Sequence, residues 1–173
     1  MPYQYEFPRP AVTVDCALFR WQDDQLSLLL IKRAHEPFKG YWAFPGGFVD
    51  PDEALEVAAK RELLEETGLT MSPLRLFGAF GDPGRDPRGN TITLAYYAVV
   101  GEEAKMAKAG SDAKDLSWVN LDDIDQLAFD HRDILSVACK RLKDDIRLSL
   151  SDKTTLFDLT AKEQQQLLTI LSR

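Results

Sequence analysis

Apolar residues along this chain recur with two periods. "PAVTVDCALFR" (residues 10–20) and "LSLLLIKR" (26–33) are apolar runs rich in β-formers, separated by the polar "QDDQ", which predicts a hairpin. "YWAFPGGFV" (41–49) is short and aromatic and is broken by Pro45, Gly46 and Gly47. "LRLFGAFG" (74–81) and "NTITLAYYAVV" (90–100) read as two further strands joined by the turn-rich "DPGRDPRG", and "LSWVNL" (116–121) as a last short one. Helical spacing takes over from Asp130 to about Arg147, at Ile134, Val137, Ala138 and Leu142. The tail "TAKEQQQLLTIL" has its own start signal, Thr160 with Glu163 three residues on. The pattern predicts an α/β domain, a mixed sheet covered by helices.

A further helix is the most sharply bounded. In "DPDEALEVAAKRELLEETGL" Asp50 is the expected N-cap, Pro51 the first helical residue, and Glu53 the partner of a capping box. Gly68 supplies the left-handed residue that ends it. On this helix Glu62, Glu65 and Glu66 share an arc of ~100°. Ala58 and Ala59 fall on the same side, where small side chains leave room for a ligand, while Val57 and Leu64 are expected to point towards a core. Three like charges at i, i+3 and i+4 repel by a few tenths of a kcal/mol per pair. Either that face is simply solvated, or a cation belongs between the carboxylates. Hard divalent cations take oxygen ligands of this kind.

Composition narrows the setting. The 173 residues suffice for one domain with a real core, and 45% hydrophobic with 28% charged residues is ordinary for a soluble globular protein. No apolar run approaches the roughly 20 residues that span a bilayer, so no membrane association is expected. "MPYQYEFPRP" lacks the order of a signal peptide. Cys16 and Cys139 have no metal-ligand spacing and read as free thiols in a reducing cytoplasm. A formal charge of -7 argues against a nucleic-acid-binding face.

Gly47, Glu53 and "RELLEETGL" (61–69) are similar to the Nudix box, G-x5-E-x7-R-E-U-x-E-E-x-G-U with U apolar. Every fixed position is present: Gly47, Glu53, Arg61, Glu62, Leu63, Glu65, Glu66, Gly68 and Leu69. The resemblance implies the Nudix α/β/α sandwich over residues 8–145. It divides the chain into a Nudix domain at 1–145, with 1–8 as an N-terminal segment, and a C-terminal helical extension at 146–173. It implies Mg²⁺, with Mn²⁺ as a substitute, held by Glu62, Glu65, Glu66 and the backbone carbonyl of Gly46. Arg61 and Glu53 are implied as their supporting partners. A distal carboxylate is expected from a later loop, with Asp112, Glu102 and Glu103 as candidates.

"GDPGRDPRG" (81–89) and "LAFDHRDIL" (127–135) resemble segments of ADP-ribose pyrophosphatase-like Nudix proteins and of Nudix-related transcriptional regulators of NAD metabolism. Arg85 and Arg88, with Pro83 and Arg33, are the implied substrate contacts, the arginines suiting diphosphate oxygens. The plain alternative is a turn-rich loop in which Asp82 and Asp86 cap turns. Tyr41 and Trp42 are candidates to stack on a base, or core aromatics. The expected activity is metal-dependent hydrolysis of ADP-ribose or a related nucleoside diphosphate sugar. The alternatives are an ADP-ribose sensor and a housecleaning nucleoside triphosphatase. The regulators carry a winged-helix domain after the Nudix part, for which the residues after Asp145 are too few. A homodimer is expected, from the aromatic N-terminus and from Leu167, Leu168, Ile170 and Leu171, which cover either their own domain or a partner.

Overall fold

The computed structural model describes residues 5–71, 73–101, 107–108, 113–154 and 156–172, with residues 113 and 114 by backbone alone. Among them, one mixed sheet holds β1 (Ala11–Gln22), β2 (Gln25–Arg33), β3 (Trp42–Ala43), β4 (Gly46–Phe48), β5 (Arg75–Phe80), β6 (Thr91–Val100) and β7 (Ala113–Asn120). The helices are α1 (Leu55–Thr67), α2 (His131–Asp152) and α3 (Ala161–Ile170). The path through the sheet is β3-β2-β1-β6-β5, with β4 on β1 and β7 on β2. Only β1 and β6 run parallel, in register from Ala11↔Thr91 to Arg20↔Val100. The β1–β2 hairpin turns at Asp23 and Asp24, whose φ of 52° and 58° is the paired positive φ of a two-residue hairpin loop.

Period-2 alternation sorts the sheet into two cores. Val14, Cys16 and Leu18 of β1, Leu29 of β2, and Tyr96, Ala98 and Val100 of β6 pack with Ala58, Ala59 and Leu63 of α1. Their neighbours Ala17, Phe19, Leu28, Leu30, Ala95, Tyr97 and Val99 pack on the other side with Ile134, Ala138, Leu142 and Ile146 of α2 and Leu167 of α3. The result is the expected α/β/α sandwich.

Near its start β1 parts company with β2. The two pair only from Phe19↔Leu28 to Gln22↔Gln25, whereas Thr13, Val14 and Asp15 pair with Phe48, Gly47 and Gly46 of β4. A pocket occupies the resulting gap.

Several local expectations need correction. The first helix begins at Leu55 behind an extended Ala54 with no side-chain cap, not at Pro51. Asp52 takes φ 63°, which breaks the helix before it starts. Residues 50–53 instead form a separate turn, in which the Asp50 N–H donates to Glu53 Oε2 at 3.1 Å and the Glu53 N–H to the Asp50 carbonyl, also at 3.1 Å. Val57 and Leu64 are exposed, and Ala58 and Ala59 are fully buried, so the alanines bring the helix close to the sheet instead of leaving ligand space. On α2, Val137 is 40% exposed, and the helix runs on to Asp152. Gly68 does cap α1 in the left-handed region, and Thr160 and Glu163 form both bonds of a capping box. Leu167, Leu168, Ile170 and Leu171 all pack on their own domain.

Candidate functional site

The acidic face of α1 is organised around one arginine. Arg61 donates through Nε and Nη2 to the two oxygens of Glu53 at 2.9 and 2.8 Å, and through Nη1 to Glu62 Oε1 at 2.8 Å. Nη1 also reaches Glu65 Oε2 at 3.3 Å, and Nη2 the Phe48 carbonyl at 3.1 Å. A planar guanidinium has enough donors for this, and an ammonium does not. The hydrogen bonds from Arg61 hold the Glu53 carboxyl down to about 2. Burial pushes the Glu62 carboxyl up, against the hydrogen bond and charge of Arg61.

The Gly46–Gly47 turn meets this helix directly. The Gly46 N–H donates to Glu66 Oε2 at 2.8 Å. A Cβ on Gly47 would lie 2.5 Å from the Glu62 carboxylate, and one on Gly46 would lie 2.1 Å from the Val14 carbonyl. Both glycines are therefore required for close backbone approach, one to the carboxylate and one to β1. Among the described residues, no three Asp, Glu, His or Cys side chains stand as a ready-made metal cage.

The other faces of Gly46 and Gly47 line the pocket, together with Thr13, Asp15, Arg33, Phe48, Arg85, Asp86, Arg88, Phe129 and His131. Its basic side is held by two acids, Asp86 buried and Asp130 half-buried. Arg85, only 6% exposed, pairs bidentately with Asp130, from Nε at 2.8 Å and Nη2 at 2.7 Å. Arg88 pairs with Asp86 from Nε at 3.0 Å and Nη2 at 2.7 Å, and the Arg88 N–H caps the same carboxylate at 2.9 Å. Burial pushes Asp86 up, but these hydrogen bonds outweigh it and leave the carboxyl below its ordinary value. Arg33 donates from Nε to the Pro37 carbonyl at 2.8 Å, and burial, then the charge of Arg88, lower its pKa.

At the floor lies a polar group that sequence reasoning missed. His131 is buried, stacks on Phe44 at 4.8 Å, and accepts the Phe44 N–H on Nδ1 at 3.1 Å. Burial lowers its pKa, so it is neutral and bears its proton on Nε2, which faces Asp15 Oδ1 at 3.6 Å. Asp15 in turn accepts from Thr93 Oγ1 at 2.6 Å. The signal for Asp15 was an acid inside an apolar strand run. For His131, Phe129 and Asp130 it was "FDH" at the start of a helix.

The fold thus brings Glu53, Arg61, Glu62, Glu65, Glu66 and Gly46 together, and sets Arg33, Arg85 and Arg88 in the pocket that Gly46 also lines. Pro83 is exposed and outside it. Tyr41 and Trp42 line a different groove with Leu30, Val119 and Ile124. Asp112, Glu102 and Glu103 lie outside the described residues.

Comparison with known proteins points to one family. A model of the NUDIX domain matches residues 9–137. The chain is 40% identical over 162 residues to the ADPR responsive transcriptional repressor NtrR of Acinetobacter baylyi; the match takes in 90% of this chain and 64% of the repressor. It thus spans less than two thirds of that protein's length. It is 43% identical over 127 residues to the ADP-ribose pyrophosphatase of Methanocaldococcus jannaschii, covering 73% of this chain and 71% of the enzyme. The NUDIX domain of Shewanella oneidensis NrtR, complexed with ADP ribose, matches with a TM-score of 0.74 at 35% identity, over 79% of this chain and 90% of that one.

Proposed function

The chain belongs to the Nudix family, and from that premise we propose that it hydrolyses the diphosphate bond of ADP-ribose or a related nucleoside diphosphate sugar, giving a nucleoside monophosphate and a sugar phosphate. One observation carries the reading. The Gly46–Gly47 turn touches Glu66 and Glu62 on one side and lines the arginine-bearing pocket on the other. A diphosphate lying over that turn faces carboxylates and guanidiniums at once. The relatives named for ADP-ribose support the same ligand.

The donor set fits a hard divalent cation, Mg²⁺ or Mn²⁺ in its place: three carboxylates on α1 and the peptide oxygen of Gly46. Bound there, the cation would offset the negative charge that hydrolysis develops on the diphosphate oxygens. Arg61 holds Glu62 and Glu65 through hydrogen bonds from Nη1. Arg33 and Arg88 orient the diphosphate, and the neutral His131 holds Phe44 and with it the start of the glycine turn. Arg85 acts through Asp130, fixing the loop that carries Arg88. Asp112 is our candidate for a distal base.

We place the protein in the cytoplasm, on the strength of its free thiols Cys16 and Cys139. No helix among the described residues is long and apolar enough to cross a membrane. Tyr5 and Phe7, 51% and 70% exposed, support a homodimer that covers them. A monomeric mass at tens of micromolar would count against it.

A sensor is the second reading. The similarity to the repressor runs over 162 residues, further than residues 9–137. With a formal charge of -7 we expect no specific binding to duplex DNA. A panel of ADP-ribose, other nucleotide sugars, dinucleotides and nucleoside triphosphates with Mg²⁺ or Mn²⁺ separates the readings. Release of AMP and a sugar phosphate supports the hydrolase; tight ADP-ribose binding without turnover supports the sensor.

A further inference from the structure

Phe129 stands out in the pocket wall. Its φ is 53°, in the left-handed region that a bulky side chain rarely adopts. Strain of this kind persists only where the surroundings fix it, and it gathers at ligand sites. Phe129 is half-buried: it packs against the small cluster of Ile31, Ala43 and Ala128 and also lines the pocket. Its neighbours fix it on both sides: Ala128 is fully buried and Asp130 is clamped to Arg85.

Around the ring, Phe38 lies edge-on at 4.9 Å and 61°, and His131 is tilted at 5.4 Å. Its π-surface carries planar cations: Arg33 Cζ lies 4.7 Å and Arg88 Cζ 5.2 Å from the centroid. Arg88 also lies over Phe48, at 4.9 Å. These guanidiniums occupy the kind of flat surface on which a nucleobase stacks. Both are held: Arg33 donates to the Pro37 carbonyl, and Arg88, though its side chain is 38% exposed, is paired with the buried Asp86.

We infer that Phe129 is the platform on which the aromatic base of the ligand stacks. Phe129 is thus a specificity-determining residue, favouring diphosphates that carry a base. The inference rests on the reading of the pocket as a nucleoside diphosphate sugar site.

The test compares ADP-ribose with ribose 5-diphosphate, which keeps the diphosphate and a sugar but has no base. Dissociation constants are measured calorimetrically on the full chain without divalent metal, so that hydrolysis does not interfere. Phe129→Ala is expected to weaken ADP-ribose binding by about 5- to 100-fold, the range of one lost base–aromatic stack, and ribose 5-diphosphate binding by less than twofold. Phe129→Leu keeps apolar volume and should show the same selective loss should the alanine variant not fold. Phe129→Tyr should retain wild-type selectivity. Arg33→Ala should weaken both ligands alike. Equal losses for both ligands in Phe129→Ala or Phe129→Leu would overturn the inference and leave the proposed function standing. Failure of the wild type to bind either ligand would overturn both.

Discussion

The two sides of the Gly46–Gly47 turn carry charge clusters of opposite sign, and they are built in opposite ways. On the acidic side, Glu62, Glu65 and Glu66 come from two turns of one helix, and a single arginine, Arg61, ties Glu62 and Glu65 to Glu53. On the basic side, Arg33, Arg85 and Arg88 come from the end of β2 and a long loop, and the acids that hold Arg85 and Arg88 are two residues, Asp130 and Asp86. The acidic cluster is partly solvated and leans on one shared cation. In the basic cluster the Arg85 and Asp86 side chains are buried while that of Arg88 is 38% exposed, and the cluster leans on separate pairs. Removing one member should therefore cost more stability on the basic side and more turnover on the acidic side.

The largest expected effect on stability is that of Asp130→Ala. It leaves Arg85, 6% exposed, without its bidentate partner. Breaking a buried pair in this way costs about 3 kcal/mol, a fall in Tm of roughly 6–12 °C by thermal unfolding. A variant within 1 °C of wild type would show that Arg85 is not held through Asp130. Glu66→Gln should instead leave Tm nearly unchanged and lower turnover of ADP-ribose by roughly 100-fold, since it removes charge from a proposed metal ligand. Near-normal turnover by the folded variant would remove Glu66 from that role.

How much of this was legible beforehand follows from the same contrast. The acidic side is local: spacing on one helix, Gly68 at its end and the glycine turn before it were all readable. The exception is the N-cap. Asp50 and Glu53 look like a capping box, but Glu53 spends its carboxylate on Arg61, eight residues on, and the helix starts only at Leu55. Amphipathic reading also failed for Val57 and Leu64, because the close approach of α1 to the sheet selects the small Ala58 and Ala59 for burial. The basic side depends on separations of 45 residues for Arg85–Asp130 and 87 for Phe44–His131, which no local pattern records. Asp86 as a turn cap was readable, since its partner is only two residues away.

Arg61→Ala should destabilise by about 2 kcal/mol, less than Asp130→Ala, because its partners are partly solvated. Arg61→Lys should recover little of this, as the three donors of an ammonium cannot replace five hydrogen bonds to Glu53, Glu62, Glu65 and the Phe48 carbonyl. Full recovery, measured by urea unfolding, would mean that charge alone matters there.

The smallest effect concerns acid. Glu53 has a folded pKa of about 2 against an ordinary value of 4.5. Its contribution is therefore complete above 4.5 and lost as pH falls through the window from 4.5 to 2. Glu53→Gln should flatten that part of the stability–pH curve and leave the neutral region parallel to wild type. An unchanged acid limb would show that the Glu53–Arg61 pair is not formed in solution.

The central claim is that the glycine turn joins a metal-holding helix to a diphosphate pocket. Its most direct test is a product-resolved time course of ADP-ribose with the wild-type chain, first in excess chelator and then with Mg²⁺ restored. The account predicts no conversion in chelator and, after Mg²⁺, AMP and ribose 5-phosphate in equal amounts. Persistence of ADP-ribose with Mg²⁺ present, or its conversion while the metal is chelated, would contradict it.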